Sequence, residues 1–168
     1  MRKRSSKPGC FIDPGTPTLT HSTATDNPFG TSITSDDILE TLGFFDSWEA
    51  RYKYIIELGK ELPPMDEAKK DDAHLVRGCQ SRVWIDTRHR GEKLFFDVDS
   101  DAFIVKGLLG VILAAYNGKS AEEILSFDID GYFEQLDLVN HLSSTRGNGL
   151  RAMVKRIREE AGESQVPH

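Results

Sequence analysis

The residue best suited to chemistry is Cys79, which lies in the run Val-Arg-Gly-Cys-Gln-Ser-Arg-Val-Trp at residues 76–84. The chain has two cysteines, and the other one, Cys10, lies in a polar N-terminal segment. Within the predicted domain, Cys79 therefore has neither a disulfide partner nor a second thiolate for a metal site. A single cysteine most often fills buried space as a small apolar side chain.

Three neighbours of Cys79 favour a reactive role over core packing. Gly78 permits a sharp or left-handed turn, and Arg77 and Arg82 place positive charge near the thiol. Positive charge stabilises the thiolate, which is the nucleophilic form of cysteine. We therefore predict that Cys79 is a nucleophile presented on a loop.

Length and composition predict one globular domain. The 168 residues are 38% hydrophobic and 29% charged, and no apolar run reaches the roughly 18 residues that cross a bilayer. The net charge of −6 argues against nucleic-acid binding, which requires a basic surface. Two unpaired cysteines favour a reducing compartment. We therefore expect a bacterial cytoplasmic protein rather than an imported organelle protein, with no nucleic-acid or membrane partner.

Composition divides the chain into three segments. Residues 1–33 are rich in Ser, Thr, Pro and Gly and contain few large apolar groups, which predicts a disordered N-terminal extension. Residues 34–161 have the amphipathic patterns of a folded domain. Residues 162–168 are polar and predict a frayed tail.

Two helices are predicted at the start of the domain. Thr34 or Ser35 caps the first helix. The run Asp-Ser-Trp-Glu at residues 46–49 resembles a capping box and opens the second helix, whose apolar stripe runs from Trp48 to Leu62. The proline pair that follows ends this helix, and a charged connector leads onward.

A β-hairpin is predicted after the connector, because apolar and polar residues alternate at 81–87 and 93–98. Leu75 and Val76 add a short third strand. Cys79 then lies where two strands are joined, at one end of the sheet.

The remaining pattern predicts three more helices. Ser100 caps a central buried helix, with Asp101 in its first turn, and Ser120 caps a short helix. A linker at 141–149 leads to a last helix that starts at Leu150. Together these elements predict an α+β domain with two layers, in which a short antiparallel sheet packs against helices on one face.

Three motifs in order resemble the SufE family of sulfur acceptors. They are Gly-Cys-Gln-Ser with Val-Trp at residues 78–84, Ser-Asp-Ala with Ile-Val-Lys-Gly-Leu at 100–108, and His-Leu-Ser with Arg, Gly-Leu and Met at 141–153. The resemblance covers the chain from Phe44 to Ile157. The paralogous CsdE group shares most of these motifs.

The resemblance implies a SufE/IscU-like fold and a role in sulfur transfer. Cys79 corresponds to the cysteine that accepts persulfide sulfur from a PLP-dependent cysteine desulfurase of the SufS/CsdA type. The protein is then expected to stimulate that enzyme and to deliver sulfur to an Fe–S cluster scaffold complex. It is expected to be a carrier without independent turnover. No cofactor or metal is expected on this chain, since the partner carries the PLP.

Several neighbours of Cys79 are candidates for positioning its loop or binding the partner. Asp101 also suits a charge at a helix N-terminus, and Arg146 suits a surface ion pair or helix cap. His74 and His141 are candidate general bases for Cys79, although a structural role is more common for a single histidine. The candidates from the resemblance are Gly78, Gln80, Ser81, Asp101 and Arg146.

Other functions remain open. A binding module would activate the desulfurase without carrying sulfur, and a thiol redox sensor would cycle Cys79 through a sulfenic acid with an external reductant. A cluster scaffold needs about three thiolates and a further ligand, whereas this domain offers one. A cysteine hydrolase needs a paired histidine and an oxyanion site, and no hydrolase signature is present.

Overall fold

The computed structural model of this chain describes residues 27–165. The helices in this range are α1 (Ser35–Gly43), α2 (Trp48–Gly59), α3 (Phe103–Tyr116), α4 (Ala121–Ser126), α5 (Ile129–Leu136) and α6 (Ser144–Gln165). The strands are β1 (Val83–Arg90), β2 (Lys93–Ser100) and β3 (Lys119–Ser120). Short 3₁₀ turns lie at Glu67–Lys69 and Val139–His141.

The sheet is antiparallel and has the strand order β1-β2-β3. β1 and β2 form a hairpin in which Val83 faces Ser100 and Arg90 faces Lys93. Gly91 turns the chain at a φ of 64°, which glycine adopts without steric cost. β3 adds a short pairing at the other edge of β2.

One face of the hairpin forms part of the core. Val83 and Ile85 of β1 are fully buried, and so are Leu94, Phe96 and Val98 of β2 to within a few per cent. Because successive side chains of a strand point to opposite faces, these residues share the face on which the helices pack. α3 is buried around most of its circumference, which confirms the predicted central helix.

The opposite face of the hairpin is charged and is covered by the connector after α2. Asp86 and Asp97 face each other across the two strands, and we call them the carboxylate pair. The Lys69 ammonium lies 2.9 Å from Asp86 and 3.2 Å from Asp97. Lys70 lies 2.6 Å from Asp99 on the same face. Facing carboxylates repel each other, so Lys69 offsets this repulsion and ties the connector to the sheet.

Two glycines allow α2 and α3 to cross closely. A Cβ atom on Gly107 would lie 2.1 Å from the Ile55 carbonyl oxygen, and one on Gly59 would lie 2.8 Å from the Gly107 nitrogen. No larger residue fits at either position without moving backbone. This close crossing holds α3 in place beneath the sheet.

The arrangement confirms the predicted two-layer α+β fold, with an antiparallel sheet on helices. Thr34 caps α1 and Ser120 caps α4, each in a full capping box. The capping box predicted at residues 46–49 is wrong, because Ser47 is the cap of α2 and its side chain accepts from the Ala50 amide. None of the helices within residues 27–165 is long and apolar enough to cross a membrane.

Several predicted element boundaries are wrong. α2 ends at Gly59 rather than at Leu62. α5 was not predicted, and α6 begins at Ser144 rather than at Leu150. Ser100 does not cap α3, because it is the last residue of β2 and its strand pairing holds it extended.

The folded structure also begins earlier than predicted. Phe29 is fully buried, and its carbonyl accepts a hydrogen bond from the Asn117 side chain at 3.0 Å. Disorder is therefore the wrong prediction for residues 27–33, while residues 1–26, with Cys10, lie outside the described part. At the other end, residues 162–165 are helical rather than frayed, and residues 166–168 are again outside the description.

Candidate functional site

Cys79 lies in a loop whose neck is closed by backbone pairing. The Val76 amide donates to the Val83 carbonyl at 2.8 Å, and Leu75 pairs with Trp84 as an isolated antiparallel bridge. The short strand predicted at residues 75 and 76 is thus reduced to this bridge. As predicted, the cysteine lies between two paired segments.

Asp101 holds the second arm of this loop. Its Oδ1 accepts from the Arg82 amide at 3.1 Å, and its own amide donates to the Arg82 carbonyl at 3.3 Å. The predicted role of Asp101 in the first turn of the central helix is wrong, since α3 begins at Phe103 and has no acidic residue there. Asp101 is therefore hydrogen-bonded twice to the backbone of Arg82, at the end of the cysteine loop.

Gly78 allows the loop to approach α6. Its φ of 92° lies in the left-handed region that favours glycine. A Cβ atom at this position would lie 3.3 Å from the Ala152 Cβ of α6. Both the backbone conformation and the close contact thus require glycine immediately before Cys79.

The N-terminal turns of α6 form the opposite wall of the site. The Ser143 hydroxyl accepts from the Arg146 amide at 3.2 Å, and the Ser143 carbonyl accepts from the Gly147 amide at 2.8 Å. Ser143 therefore starts the helix, and Arg146 and Gly149 follow on it beside the cysteine loop. The loop thus contacts the second and third turns of α6, at Gly149 and Ala152.

A cavity of about 270 Å³ separates the cysteine loop from α3 and α6. Its polar rim includes Arg146, and the Cys79 Sγ donates to the Gly149 carbonyl at 3.5 Å. The structure thus brings Arg146, Gln80 and Ser81 together with the cysteine around one cavity. The lining residues are Cys79, Gln80, Ser81, Val105, Leu108, Ser143, Thr145, Arg146, Gly149 and Met153.

The thiol of Cys79 is protected rather than activated in this conformation. Its side chain is partly buried, and burial raises the pKa of the thiol above its ordinary value. The prediction that Arg77 and Arg82 hold it as a thiolate is therefore wrong for the resting loop. Both arginines are exposed.

Neither candidate histidine lies in the cavity. The His74 ring lies 2.7 Å from Asp71 and 3.2 Å from Asp86, over the charged face of the sheet. The His141 ring stacks on Trp48 with a centroid distance of 4.0 Å. The described residues thus form no Cys–His pair at Cys79, and both histidines have structural contacts elsewhere.

The sequence matches the family model "SufE: Fe-S metabolism associated domain" over residues 36–161. This match spans most of the chain and includes every residue of the cavity. The chain belongs to the SufE family. The family is associated with Fe–S metabolism.

Two relatives are also named as SufE-like. An uncharacterized SufE-like protein of Rhizobium etli is 49% identical over 130 residues, covering 75% of this chain and 88% of the relative. A second such protein, from Rhizobium meliloti, is 45% identical over 136 residues, covering 79% of this chain and 96% of the relative. The solution structure of a hypothetical protein from Thermus thermophilus matches with a TM-score of 0.64 at 20% identity, covering 77% of this chain and 94% of that one. This last similarity concerns the fold.

Sequence reasoning included Arg146, Gly149 and Met153 in the family motif but did not predict that the start of α6 carries them to the thiol. Gly149 accepts the thiol hydrogen bond, and Thr145, which was not singled out, lines the cavity with Met153. The Ser143 side chain, which can cap a helix, was the available signal. Within residues 27–165, no three His, Cys, Asp or Glu side chains gather as metal ligands would.

Proposed function

We propose that this SufE family protein accepts persulfide sulfur on Cys79 from a PLP-dependent cysteine desulfurase. It stimulates that enzyme by removing its sulfur and delivers the sulfur for Fe–S cluster assembly. The observation that carries the proposal is that Cys79, the one cysteine within residues 27–165, follows a glycine of positive φ and lines a small cavity. The family association with Fe–S metabolism supports the same role.

The transfer is a thiol exchange on a persulfide. The Cys79 thiolate attacks the terminal sulfur of the persulfide on the donor cysteine, and a new S–S bond forms. The S–S bond of the donor breaks, and the donor cysteine leaves as a thiolate. Cys79 then carries the sulfane sulfur as its own persulfide. No electrons are gained or lost overall, so the carrier requires neither a metal nor a cofactor for this step.

The resting geometry supports a carrier whose thiol is exposed only when it is needed. The Cys79 Sγ donates a hydrogen bond to the Gly149 carbonyl, and burial favours the neutral thiol. When the loop turns outward toward a donor, that burial is lost and the thiol pKa falls toward its ordinary value. Docking and formation of the nucleophile are thereby coupled.

The proposal is tested by comparing wild-type protein with Cys79→Ser in a desulfurase reaction. A carrier gains one sulfur atom in the presence of desulfurase and cysteine, loses it to a reductant, and accelerates alanine formation. Cys79→Ser is expected to bind the desulfurase but to lose both the adduct and the acceleration. Cys10→Ser is the control for sulfur loading on the second cysteine, and this variant is expected to behave as wild type.

The main alternative is a binding module that activates the desulfurase without carrying sulfur. A module retains its stimulation when Cys79 is replaced by serine, since serine preserves the size and hydrogen bonding of the side chain. Full stimulation by Cys79→Ser would thus reject the carrier and favour the module.

A further inference from the structure

Arg156 connects the last helix to the segment that enters the cysteine loop. Its Nη2 donates to the Ala73 carbonyl at 2.9 Å, and its Nη1 donates to the Leu75 carbonyl at 3.2 Å. The Nε lies 3.4 Å from the Glu160 carboxylate, one turn further along α6. All three guanidinium nitrogens of this partly buried side chain are therefore engaged.

The two carbonyls that Arg156 holds lie where the turn at residues 72–74 leads into the bridge at Leu75. Between them, the His74 carbonyl accepts instead from the Ile85 amide of β1 at 2.9 Å. The His74 carbonyl thus ties this segment to the sheet, and the planar guanidinium fork of Arg156 ties the Ala73 and Leu75 carbonyls to α6.

The two hydrogen bonds from Arg156 to the Ala73 and Leu75 carbonyls, which we call the clamp, fix the chain on one side of Cys79. Upstream, Arg156 fixes Leu75 next to the bridge that closes the neck. Downstream, Asp101 fixes Arg82. Residues 77–81 lie between these two attachments, and within them the Cys79 Sγ makes its hydrogen bond to Gly149 of the same helix that carries Arg156.

We propose that Arg156 is a positioning residue for sulfur transfer, which holds the entering arm of the Cys79 loop against α6. Only the segment between the two attachments then turns outward when the thiol meets its donor. This inference rests on the carrier function proposed above. Arg156 acts through the backbone at Ala73 and Leu75 and touches neither sulfur atom.

Loss of the clamp makes the thiol more accessible but less well placed. Arg156→Met releases both carbonyls, and the loss of even one charged hydrogen bond changes an opening equilibrium by about tenfold or more. The Arg156→Met variant, which keeps an unbranched apolar stem, is therefore expected to alkylate at Cys79 at least about tenfold faster than wild type. It is also expected to need more desulfurase for half-maximal sulfur loading, while the loading rate at saturation changes little.

The test treats the folded full chain with iodoacetamide and measures the rate at which the peptide containing Cys79 becomes alkylated. Amide hydrogen exchange is measured on the same full chain. Arg156→Lys, which keeps the charge and one donor direction, is expected to fall between wild type and Arg156→Met. Lys155→Met is the matched control, since the Lys155 side chain is 76% exposed on the same helix, and it is expected to alkylate as wild type. Faster exchange in Arg156→Met is expected at Val76 and Ile85 and not in α3.

Two results would overturn the inference. One is wild-type alkylation and exchange in Arg156→Met, which would mean that the arm is held without the clamp. The other is faster exchange throughout α3 in both Arg156 variants, which would make the residue a general stabiliser of the fold. The alkylation measurement uses no desulfurase, so it gives the same answer if the carrier function fails, and that failure appears separately as absent sulfur loading in wild type.

Discussion

The glycine before the cysteine provides a quantitative test of the resting loop. Gly78 has a φ of 92°, and a left-handed conformation costs a residue with a Cβ about 1–2 kcal/mol. The new methyl group of Gly78→Ala would also lie 3.3 Å from the Ala152 Cβ, which is tight. If the loop relieves this strain by opening, raising the free energy of the closed loop by about 1–2 kcal/mol increases the open population about 5- to 30-fold.

The assay is the rate of Cys79 alkylation in the folded protein, measured beside the free energy of unfolding. Gly78→Ala is expected to accelerate alkylation by that factor and to lower the free energy of unfolding by about 1–2 kcal/mol. The matched control is Gly91→Ala, because Gly91 has a φ of 64° in the β1–β2 turn and open space around it. It is expected to lose a similar free energy without any change in Cys79 reactivity.

The double variant Gly78→Ala/Ala152→Gly separates contact from backbone strain. It removes the contact with α6 and is expected to reverse only part of the acceleration. Wild-type alkylation in Gly78→Ala would refute the reasoning, and so would equal acceleration in Gly91→Ala. Either result would mean that the conformation of the loop does not control access to the thiol.

Three further predictions concern the thiol, the outer face of the sheet and the surface near the loop. Burial raises the pKa of the Cys79 thiol in the folded protein, so the folded state holds the thiol proton more tightly than the unfolded state. The stability that this proton contributes is present below the ordinary thiol pKa and is lost as pH rises through the raised pKa. The rate of Cys79 alkylation should thus reach half its maximum at a higher pH in the folded protein than in the denatured protein. A midpoint pH in the folded protein that is equal or lower would contradict this prediction. Lys69→Met leaves the carboxylate pair without its bridging ammonium and should lower the free energy of unfolding by about 1–2 kcal/mol in denaturant titrations; unchanged stability would show that solvent already screens the pair. Phe103 is 77% exposed at the start of α3, two residues before Val105 of the cavity lining. We expect it to contribute to desulfurase binding, so Phe103→Ser should weaken that binding about tenfold in calorimetry. Phe44→Ser, at a site 76% exposed after α1, should not weaken it, and equal effects of the two variants would contradict a role for Phe103.

The sheet and the central helix were predictable because one local property of the sequence, alternation or apolar content, decides where their residues lie. Alternation places Val83 and Ile85 on one face, and both are fully buried. The apolar residues of α3 leave that helix no position except the interior. Local hydrogen bonding explains why Ser120 was predicted correctly as a cap, since its partner Glu123 lies three residues away.

The errors arise where distant contacts override local preference. Glycines at 147 and 149 disfavour a helix, yet α6 includes them because Ser143 caps the helix and the cysteine loop packs against it. Ser100 is a good cap in isolation, but its pairing with Val83 keeps it in β2. The polar segment at residues 27–33 folds because Asn117, almost ninety positions later, bonds to Phe29.

The same reasoning explains what could be foreseen of the site. Cys79 and its neighbours were visible as a local pattern, and Arg146 came from the resemblance to the family. The protected state of the thiol was not predictable, because the Gly149 carbonyl and the cavity wall come from other helices. Charge close in sequence, as at Arg77, did not outweigh burial by residues far along the chain.

The most direct test of the sulfur-carrier account is the mass of the Cys79 peptide after reaction with a desulfurase and cysteine. The account predicts one additional sulfur atom on this peptide, which is removed by a reductant and absent when the desulfurase is omitted. A Cys79 peptide that stays unmodified, while the desulfurase binds the protein and turns over cysteine, would contradict it.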